Sequence, residues 1–378
     1  MKEITIIGAG IGGLTTAIAL EQKGFKVRLY EKTEQLKPVG AGIILASNAM
    51  QVYEKLGLRK TIEQNGYPIS KMNITKANLK PLTKVDLSNF EQKHNIKSIA
   101  IHRGTLQQIL IDSLTSTEIH LNHSLKKVIE NANGYSLEFN TKKQSQTSIL
   151  LGADGINSVV RQNLFPNKRI RHANQICWRG ITKYNLPIAF KNELNEAWGE
   201  SGRFGFVQIN KNSVYWYALK TFSSSKNELS LNAIEKYFST YNPVIKSIIA
   251  ATKMELINTA EISDLKPTYA WYKKNACLIG DAAHATTPNM GQGACQAVED
   301  AYVLSECLSK YDTMKAFEIY QNLRLPKAHQ VVKTSWRIGK MAHLSNPILR
   351  GCRNLLLKLT PTTINKKQFK RIFQIPNL

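Results

Sequence analysis

A single stretch, Ile4 to Glu31, limits this chain more than any other. Ile4-Thr5-Ile6-Ile7 is a short β-branched run of the kind that forms a buried strand. Gly8-Ala9-Gly10-Ile11-Gly12-Gly13 follows and satisfies G-x-G-x-x-G at Gly8, Gly10 and Gly13. Leu14 to Lys23 has helical spacing and stops at Gly24; a second strand, Lys26 to Tyr30, ends at Glu31. Each part has a mechanical reason. The glycines allow a tight turn and let backbone approach a pyrophosphate, the helix N-terminus offers free N–H groups, and Glu31 suits a ribose 2′-hydroxyl. The unit predicts a dinucleotide site, with FAD or NAD favoured over NADP by the acid.

The chain of 378 residues is long enough for a full core in one large or two interleaved domains. No stretch is apolar for the roughly 18 residues that a bilayer span needs. The glycine turn through Ile4 to Leu20 argues against a signal peptide. Five cysteines (Cys177, Cys277, Cys295, Cys307, Cys352) are scattered without C-x-x-C, so neither a disulfide framework nor a metal site is expected, and a reducing cytoplasm fits. A net charge of +24 favours acidic partners, yet no nucleic-acid-binding motif accompanies it, and a solvated lysine-rich surface is the plainer reading. Basic residues gather with leucines near the C-terminus, from Ile348 to Leu359 and at Lys366, Lys367, Lys370 and Arg371. Such a helix suits a membrane surface; packing on its own domain is the preferred expectation.

Pro38 to Ile43 reads as a glycine-rich loop, Asn48 to Leu56 as a helix, and Ile69 to Val85 as strands. Ile119–Leu121, Lys126–Glu130 and Tyr135–Asn140 read as a meander with a turn at Asn133-Gly134. Between Gln175 and Leu219 the period is two and aromatics cluster (Trp178, Trp198, Phe204, Phe206, Tyr215, Trp216, Tyr217), which predicts an antiparallel sheet with one covered face. Trp178 is expected to pack that sheet. Two further strand ends run into corners resembling the first: Ile149-Leu150-Leu151 into Gly152-Ala153-Asp154-Gly155, and Ala276 to Ile279 into Gly280-Asp281-Ala282-Ala283-His284. Asp154 and Asp281 beside glycines at strand ends suit a cofactor, although either could simply cap a helix. His284 is expected to be a structural hydrogen-bonder.

With its three corners in order, the chain resembles the single-component FAD-dependent aromatic hydroxylases of the p-hydroxybenzoate hydroxylase fold, from Lys2 to about Leu325. The resemblance implies an α/β fold: a Rossmann-like FAD-binding domain (1–70, 98–172, 268–325) interleaved with an antiparallel-sheet substrate domain (71–97, 173–267), plus C-terminal helices (326–378). It implies FAD contacts at Gly8, Gly10, Ile11, Gly12, Gly13, Glu31, Lys32, Gly42, Arg103, Leu125, Asp154, Gly155, Asp281, Pro288, Gly291, Gln292, Gly293 and Ala294. It also implies NAD(P)H as co-substrate, O2, and hydroxylation of an aromatic or heteroaromatic small molecule through a flavin C4a-hydroperoxide. Within the family the chain is similar to urate-hydroxylating and related heteroaromatic members, through Lys37 to Ala41, Thr286-Thr287-Pro288 and Gly291-Gln292-Gly293. That branch implies Arg203, Tyr215, Pro288 and Asn289 at the substrate end. Asn289 stands where urate hydroxylases carry an acid, which argues against urate itself. Epoxidase, halogenase and reductase members share the fold, and a non-enzymatic flavin-binding protein is the other alternative; the halogenase Trp-x-Trp-x-Ile-Pro run is missing, since Trp178 sits in Cys177-Trp178-Arg179-Gly180. A monomer or homodimer is expected, with no nucleic-acid partner.

Overall fold

The computed structural model describes residues 3–36, 41–165, 170–200, 202–225, 229–361, 370–376 and 378. Lys37 to Gly40 of the glycine-rich loop, and Lys366 and Lys367, lie outside the described residues.

Glu3–Ile7 is the central strand of a six-stranded sheet ordered Tyr272–Lys273, Ala276–Leu278, Leu150–Gly152, Glu3–Ile7, Lys26–Tyr30, Glu118–His120. All neighbours are parallel except the Tyr272–Lys273 edge. The chain leaves Glu3–Ile7 toward one side and returns on the other, which makes a topological switch point with a crevice outside the strand ends. The three glycine corners follow Ile7, Gly152 and Leu278, so all of them open onto that crevice. The meander keeps three strands but not the expected three. Leu125–Asn131, Gly134–Phe139 and Gln144–Thr147 form it, whereas Glu118–His120 joins the parallel sheet. Three residues carry too little pattern to name their sheet. Local contacts decide: Glu31 N–H donates to the His120 carbonyl at 2.9 Å, and the Tyr30 and His120 rings stack at 4.8 Å.

A carboxylate closes the outer edge of this unit. Glu21, at the end of helix Ile11–Glu21, accepts from the backbone N–H groups of Thr115 and Ser116, each at 2.9 Å, and from that of Thr117. Partial burial works against the charge, but these donors outweigh it and draw the carboxyl down from 4.5 to about 2. A lowered folded pKa gives stability that is present above the unfolded value and lost as pH falls through the folded one. Glu21→Gln is therefore expected to cost about 1–2 kcal/mol at neutral pH, a figure discounted for exposure. The deficit should shrink between about pH 4.5 and pH 2, as urea melts across that window would show.

The second sheet is ordered Asn258–Leu265, Ile170–Lys183, Ser213–Thr221, Arg203–Asn210, Glu193–Trp198, Lys71–Lys76, Pro81–Asp86. It is antiparallel apart from one parallel pair, Glu193–Trp198 with Lys71–Lys76. Away from register shifts at His172/Ile176, Gln208/Asn210 and Ile74/Thr75, its strands alternate. One face carries Trp178, Phe204, Phe206 and Trp216, sealed by helices Ile234–Tyr237 and Pro243–Ala250 through Phe238, Ile245 and Ile248. Trp178 belongs to this packed face, stacked on Tyr237. The register places Arg179, Tyr215, Tyr217, Arg203 and Glu196 on the other face. That face meets the first unit, because a Cβ at Gly42 would lie 2.3 Å from the Tyr215 ring.

Two long helices brace the crevice. Gly293–Lys310 is buried along most of its length, and Thr313–Ala342 lies beside it. The expected boundary at 325/326 falls inside Thr313–Ala342, which carries Pro326 within it. A buried network joins the pair: Arg324 donates to Asp300 at 2.8 Å and Glu299 at 2.6 Å, Lys327 to Glu299 at 2.6 Å, and His284 meets Asp300 at 2.6 Å. His284 is thus a structural hydrogen-bonder. Breaking such a buried ionic set costs several kcal/mol, which holds the boundary region together.

Candidate active site

The three corners touch one another. A Cβ at Gly8 would lie 2.5 Å from the Ala153 carbonyl oxygen, and Gly8 has φ +107°. Arg161, just past the second corner, donates to the Ala282 carbonyl at 3.0 Å and so reaches the third. Ala297 of helix Gly293–Lys310 faces the first and third corners together: its Cβ would be 3.1 Å from one added at Gly12 and 3.0 Å from one added at Gly280.

Around these contacts the polar groups point into the crevice. Helix Ile11–Glu21 starts at Gly10 without any side-chain cap and without an acid in its first turn, so its first N–H groups stay available. A Cβ at Gly10 would meet nothing within 4 Å. Glu31 lies beside this turn and accepts from Ala9 N–H at 2.8 Å. Gln107 donates to the Ala9 carbonyl at 3.1 Å, tying helix Arg103–Asp112 to the loop. Arg103 opens that helix, exposed, close enough to feel the charge of Asp281. His102 caps it, with Nδ1 accepting from Gly104 and Thr105, and burial holds the ring neutral.

Asp154 accepts at Oδ2 from Val159 N–H at 2.7 Å in the first turn of helix Val159–Leu164, whose N-cap is Ser158. Its other oxygen, Oδ1, is buried with no partner among the described residues, and burial pushes the carboxyl up. An orphaned buried carboxylate oxygen needs an explanation, and a hydroxyl or N–H of a bound group supplies one. Gly155 turns beside it with φ +78°. Asp281 stands on the crevice wall, open to solvent on one side and ringed by protein on the others; this burial raises its carboxyl, and His284 and Arg103 oppose the rise. A Cβ at Gly293 would lie 3.9 Å from Asp281 Oδ1. Helix Gly293–Lys310 begins there with no side-chain cap and no first-turn acid, so Gly293 and Ala294 present free N–H groups. Gly291 turns at φ +61°, whereas the Gln292 side chain faces inward to Asn48 at 3.1 Å. Lys32 is exposed, and the Leu125 side chain is in the core, so Leu125 offers only backbone. The uncapped helix starts, the open Gly10 and the two aspartates fit an extended dinucleotide with its anionic and hydroxyl-bearing parts.

The substrate end differs from expectation. Arg203 is 1% exposed, and its guanidinium is fully engaged within the protein. Nη1 donates to Glu196 at 3.0 Å, Nε to His343 Nε2 at 3.1 Å, and Nη2 to Asn289 Oδ1. Burial, together with Arg203, Arg353 and Lys220, holds His343 far below its ordinary value and therefore neutral. Asn289 donates to Thr287 Oγ1 at 2.9 Å and the Ser335 carbonyl at 2.8 Å. It is a bridge that positions Arg203. Pro288 lies exposed in the single turn Pro288–Met290. Tyr215 is buried against Gly42, and no described residue hydrogen-bonds its hydroxyl; burial raises its pKa, with Arg179 and Arg103 nearby pulling the other way.

Arg179 had no role in the sequence reading. It is half-buried between Cys177 and Tyr215, donates from Nε to Cys177 Sγ at 3.3 Å, and has no carboxylate partner among the described residues. Alternation with Trp178, which packs the far face, was the available signal. A lysine-lined depression at Lys183, Lys191 and Lys211 lies at the hairpin end of the second sheet and shares no residue with this crevice.

Comparison with known proteins agrees with this geometry. Residues 1–335 match the FAD binding domain family. The chain is 32% identical over 359 residues to the aurachin C monooxygenase/isomerase of Stigmatella aurantiaca, covering 94% of each. It is 28% identical to the 2-heptyl-3-hydroxy-4(1H)-quinolone synthase of Pseudomonas aeruginosa, covering 98% of this chain and 97% of that one. Klebsiella pneumoniae HpxO, solved with FAD and uric acid, shares the fold at a TM-score of 0.90 and 23% identity, over 98% of this chain and 96% of that one. The chain belongs to the FAD-binding-domain family and is an FAD-dependent monooxygenase.

Proposed function

We propose that the chain hydroxylates a fused-ring heteroaromatic bearing a ring oxygen and an apolar substituent, of the alkylquinolone kind, rather than a compact polar ring such as urate. The reading rests above all on Arg179, a cation without a carboxylate partner among the described residues, set beside a Tyr215 hydroxyl that none of them hydrogen-bonds. Arg203 supports it by contrast, since Glu196 already neutralises it. The family resemblance to a quinolone synthase points the same way.

The roles follow from position. Residues Gly8 to Gly13 and the first turn of Ile11–Glu21 hold the pyrophosphate of FAD, and Glu31 takes a ribose hydroxyl. Asp154 and Asp281 accept from hydroxyls along the cofactor, with Arg103 adding charge at its middle. The free N–H groups of Gly293 and Ala294, beside Gly291, favour negative charge on the ring system. Bound FAD supplies the redox and oxygen chemistry, with NAD(P)H as reductant. Arg179 and the Tyr215 hydroxyl donate to the substrate ring oxygen and favour its oxyanion form, which enriches the ring in electron density where an electrophilic oxygen attacks. The Tyr215 ring on Gly42, with the second sheet behind it, excludes water. By role, 1–70, 98–172 and 268–325 carry the cofactor, while 71–97 and 173–267 cover its reactive end.

Aerobic NAD(P)H oxidation by FAD-loaded enzyme, run with product mass analysis, tests this reading. A 2-alkyl-4-quinolone is expected to stimulate turnover at least about tenfold over the basal rate and to gain one oxygen atom, as matching transition-state contacts would give. Urate as the best substrate, or no stimulation by any alkylquinolone, would refute it.

A further inference from the structure

Helix Pro347–Leu359 presents its faces in the reverse of the usual order. Its inward side carries two arginines beside the half-buried Leu357. Arg353 is buried, donates to the Ala342 carbonyl at 2.9 Å and lies over the Trp198 ring at 5.3 Å; Arg350 pairs with Glu200 at 3.3 Å. Its outward side is apolar. At 100° per residue, Ile348, Leu349, Leu355, Leu356 and Leu359 fall on one arc with Cys352, and Ile348, Leu356 and Leu359 are 75%, 67% and 68% exposed. A globular protein does not usually leave five large aliphatic side chains together in water.

The charge around this face says what covers it. No Asp or Glu follows Glu318 in the sequence, whereas twelve Lys and Arg do. Lys358 borders the apolar arc, and Lys370 and Arg371 are also exposed. A second copy of the chain would bring two such cationic regions together with little acid to answer them, since Glu200 is already paired with Arg350. An anionic bilayer offers both an apolar layer for the leucines and phosphates for the lysines. No helix among the described residues is long and apolar enough to cross a membrane, so the attachment is to its surface.

We propose that Pro347–Leu359 is an interfacial helix that seats this protein on anionic lipid bilayers, leucines down. Arg353, beneath it, contacts Trp198, whose indole donates to Glu196, the partner of Arg203. The helix therefore rests on the same sheet that covers the crevice, and a bilayer-dissolved substrate would be held close to that sheet.

Vesicle flotation of the full-length, FAD-loaded protein tests the proposal. Vesicles of phosphatidylcholine containing about 30% phosphatidylglycerol are expected to carry most of the protein, and vesicles of phosphatidylcholine alone to carry little. Leu356→Glu with Leu359→Glu is expected to weaken binding at least about tenfold, with flavin content and basal NAD(P)H oxidation unchanged, since both side chains face solvent. Cys352 is the exposed cysteine of the five, and an environment-sensitive fluorophore there should shift to the blue on anionic vesicles. Absence of flotation with anionic vesicles would overturn the proposal, as would equal binding by the double variant. A concentration-dependent dimer in light scattering, dispersed by the same two substitutions, would assign the face to a second copy instead.

Discussion

Gly10→Glu is expected to fold normally and to purify without flavin. Gly10 has φ −73° and ψ 177°, a conformation open to any L-residue, and an added Cβ meets no atom within 4 Å. The new carboxylate would sit at the uncapped start of helix Ile11–Glu21, where the helix dipole welcomes it, and would repel a pyrophosphate from the same N–H groups. The loss corresponds to about 3–4 kcal/mol, or several hundredfold in FAD affinity, from the combined loss of charge-assisted hydrogen bonds and added repulsion. Flavin absorbance of the purified protein reads the loss, and a melt within about 2 °C of the wild-type apoprotein shows that the fold survives. Gly13→Ala supplies the contrast. Alanine is ordinarily the better helix residue by about 1 kcal/mol, yet here its Cβ would lie 1.9 Å from the Gly8 carbonyl oxygen. That variant is expected to lose stability along with flavin. Retention of flavin by Gly10→Glu would contradict the placement of the cofactor.

Arg179→Ala is expected to raise KM for the substrate about tenfold to a hundredfold, the cost of a lost charge-assisted hydrogen bond of about 1.5–3 kcal/mol. FAD content and melting temperature should hardly move, because among the described residues Arg179 bonds only the Cys177 thiol. Arg179→Lys keeps the charge without the planar fork and should fall between the two. The opposite pattern belongs to Arg203→Ala. That change strands Glu196 in the interior and should cost about 3–5 kcal/mol of stability. If instead Arg203→Ala altered KM at unchanged stability, and Arg179→Ala did nothing, the two arginines would have to exchange roles.

The cofactor half of the site was legible in the sequence because its demands fall on the backbone. A turn at φ +107° or a carbonyl at 1.9 Å admits little besides glycine, and the strand before and the helix after each corner are local patterns. The substrate half depends on pairing across strands. Glu196 and Arg203 meet only once Glu193–Trp198 lies beside Arg203–Asn210, and His343 arrives from 140 residues away. No spacing rule announces that Arg203 is neutralised there. Arg179 was within reach of the period-two argument, as Trp178 next to it had already been assigned to the packed face. Ile119–Leu121 is expected in the meander, yet Glu118–His120 joins the parallel sheet, because three residues do not determine a register. The amphipathic pattern of Pro347–Leu359 could be read, but the choice of inward face could not; Arg353 decides it by capping the Ala342 carbonyl and covering Trp198.

Ala297 stands against Gly12 and Gly280 at once, with less than one methyl group of clearance on either side, since an added Cβ would lie 3.1 Å and 3.0 Å away. Any larger side chain there would press on both the nucleotide turn and the turn before Asp281. The ends of the cofactor cradle are thus not free to drift apart over generations. A larger side chain at one must be answered by the others, so positions 12, 280 and 297 are expected to stay small together as a single inherited unit.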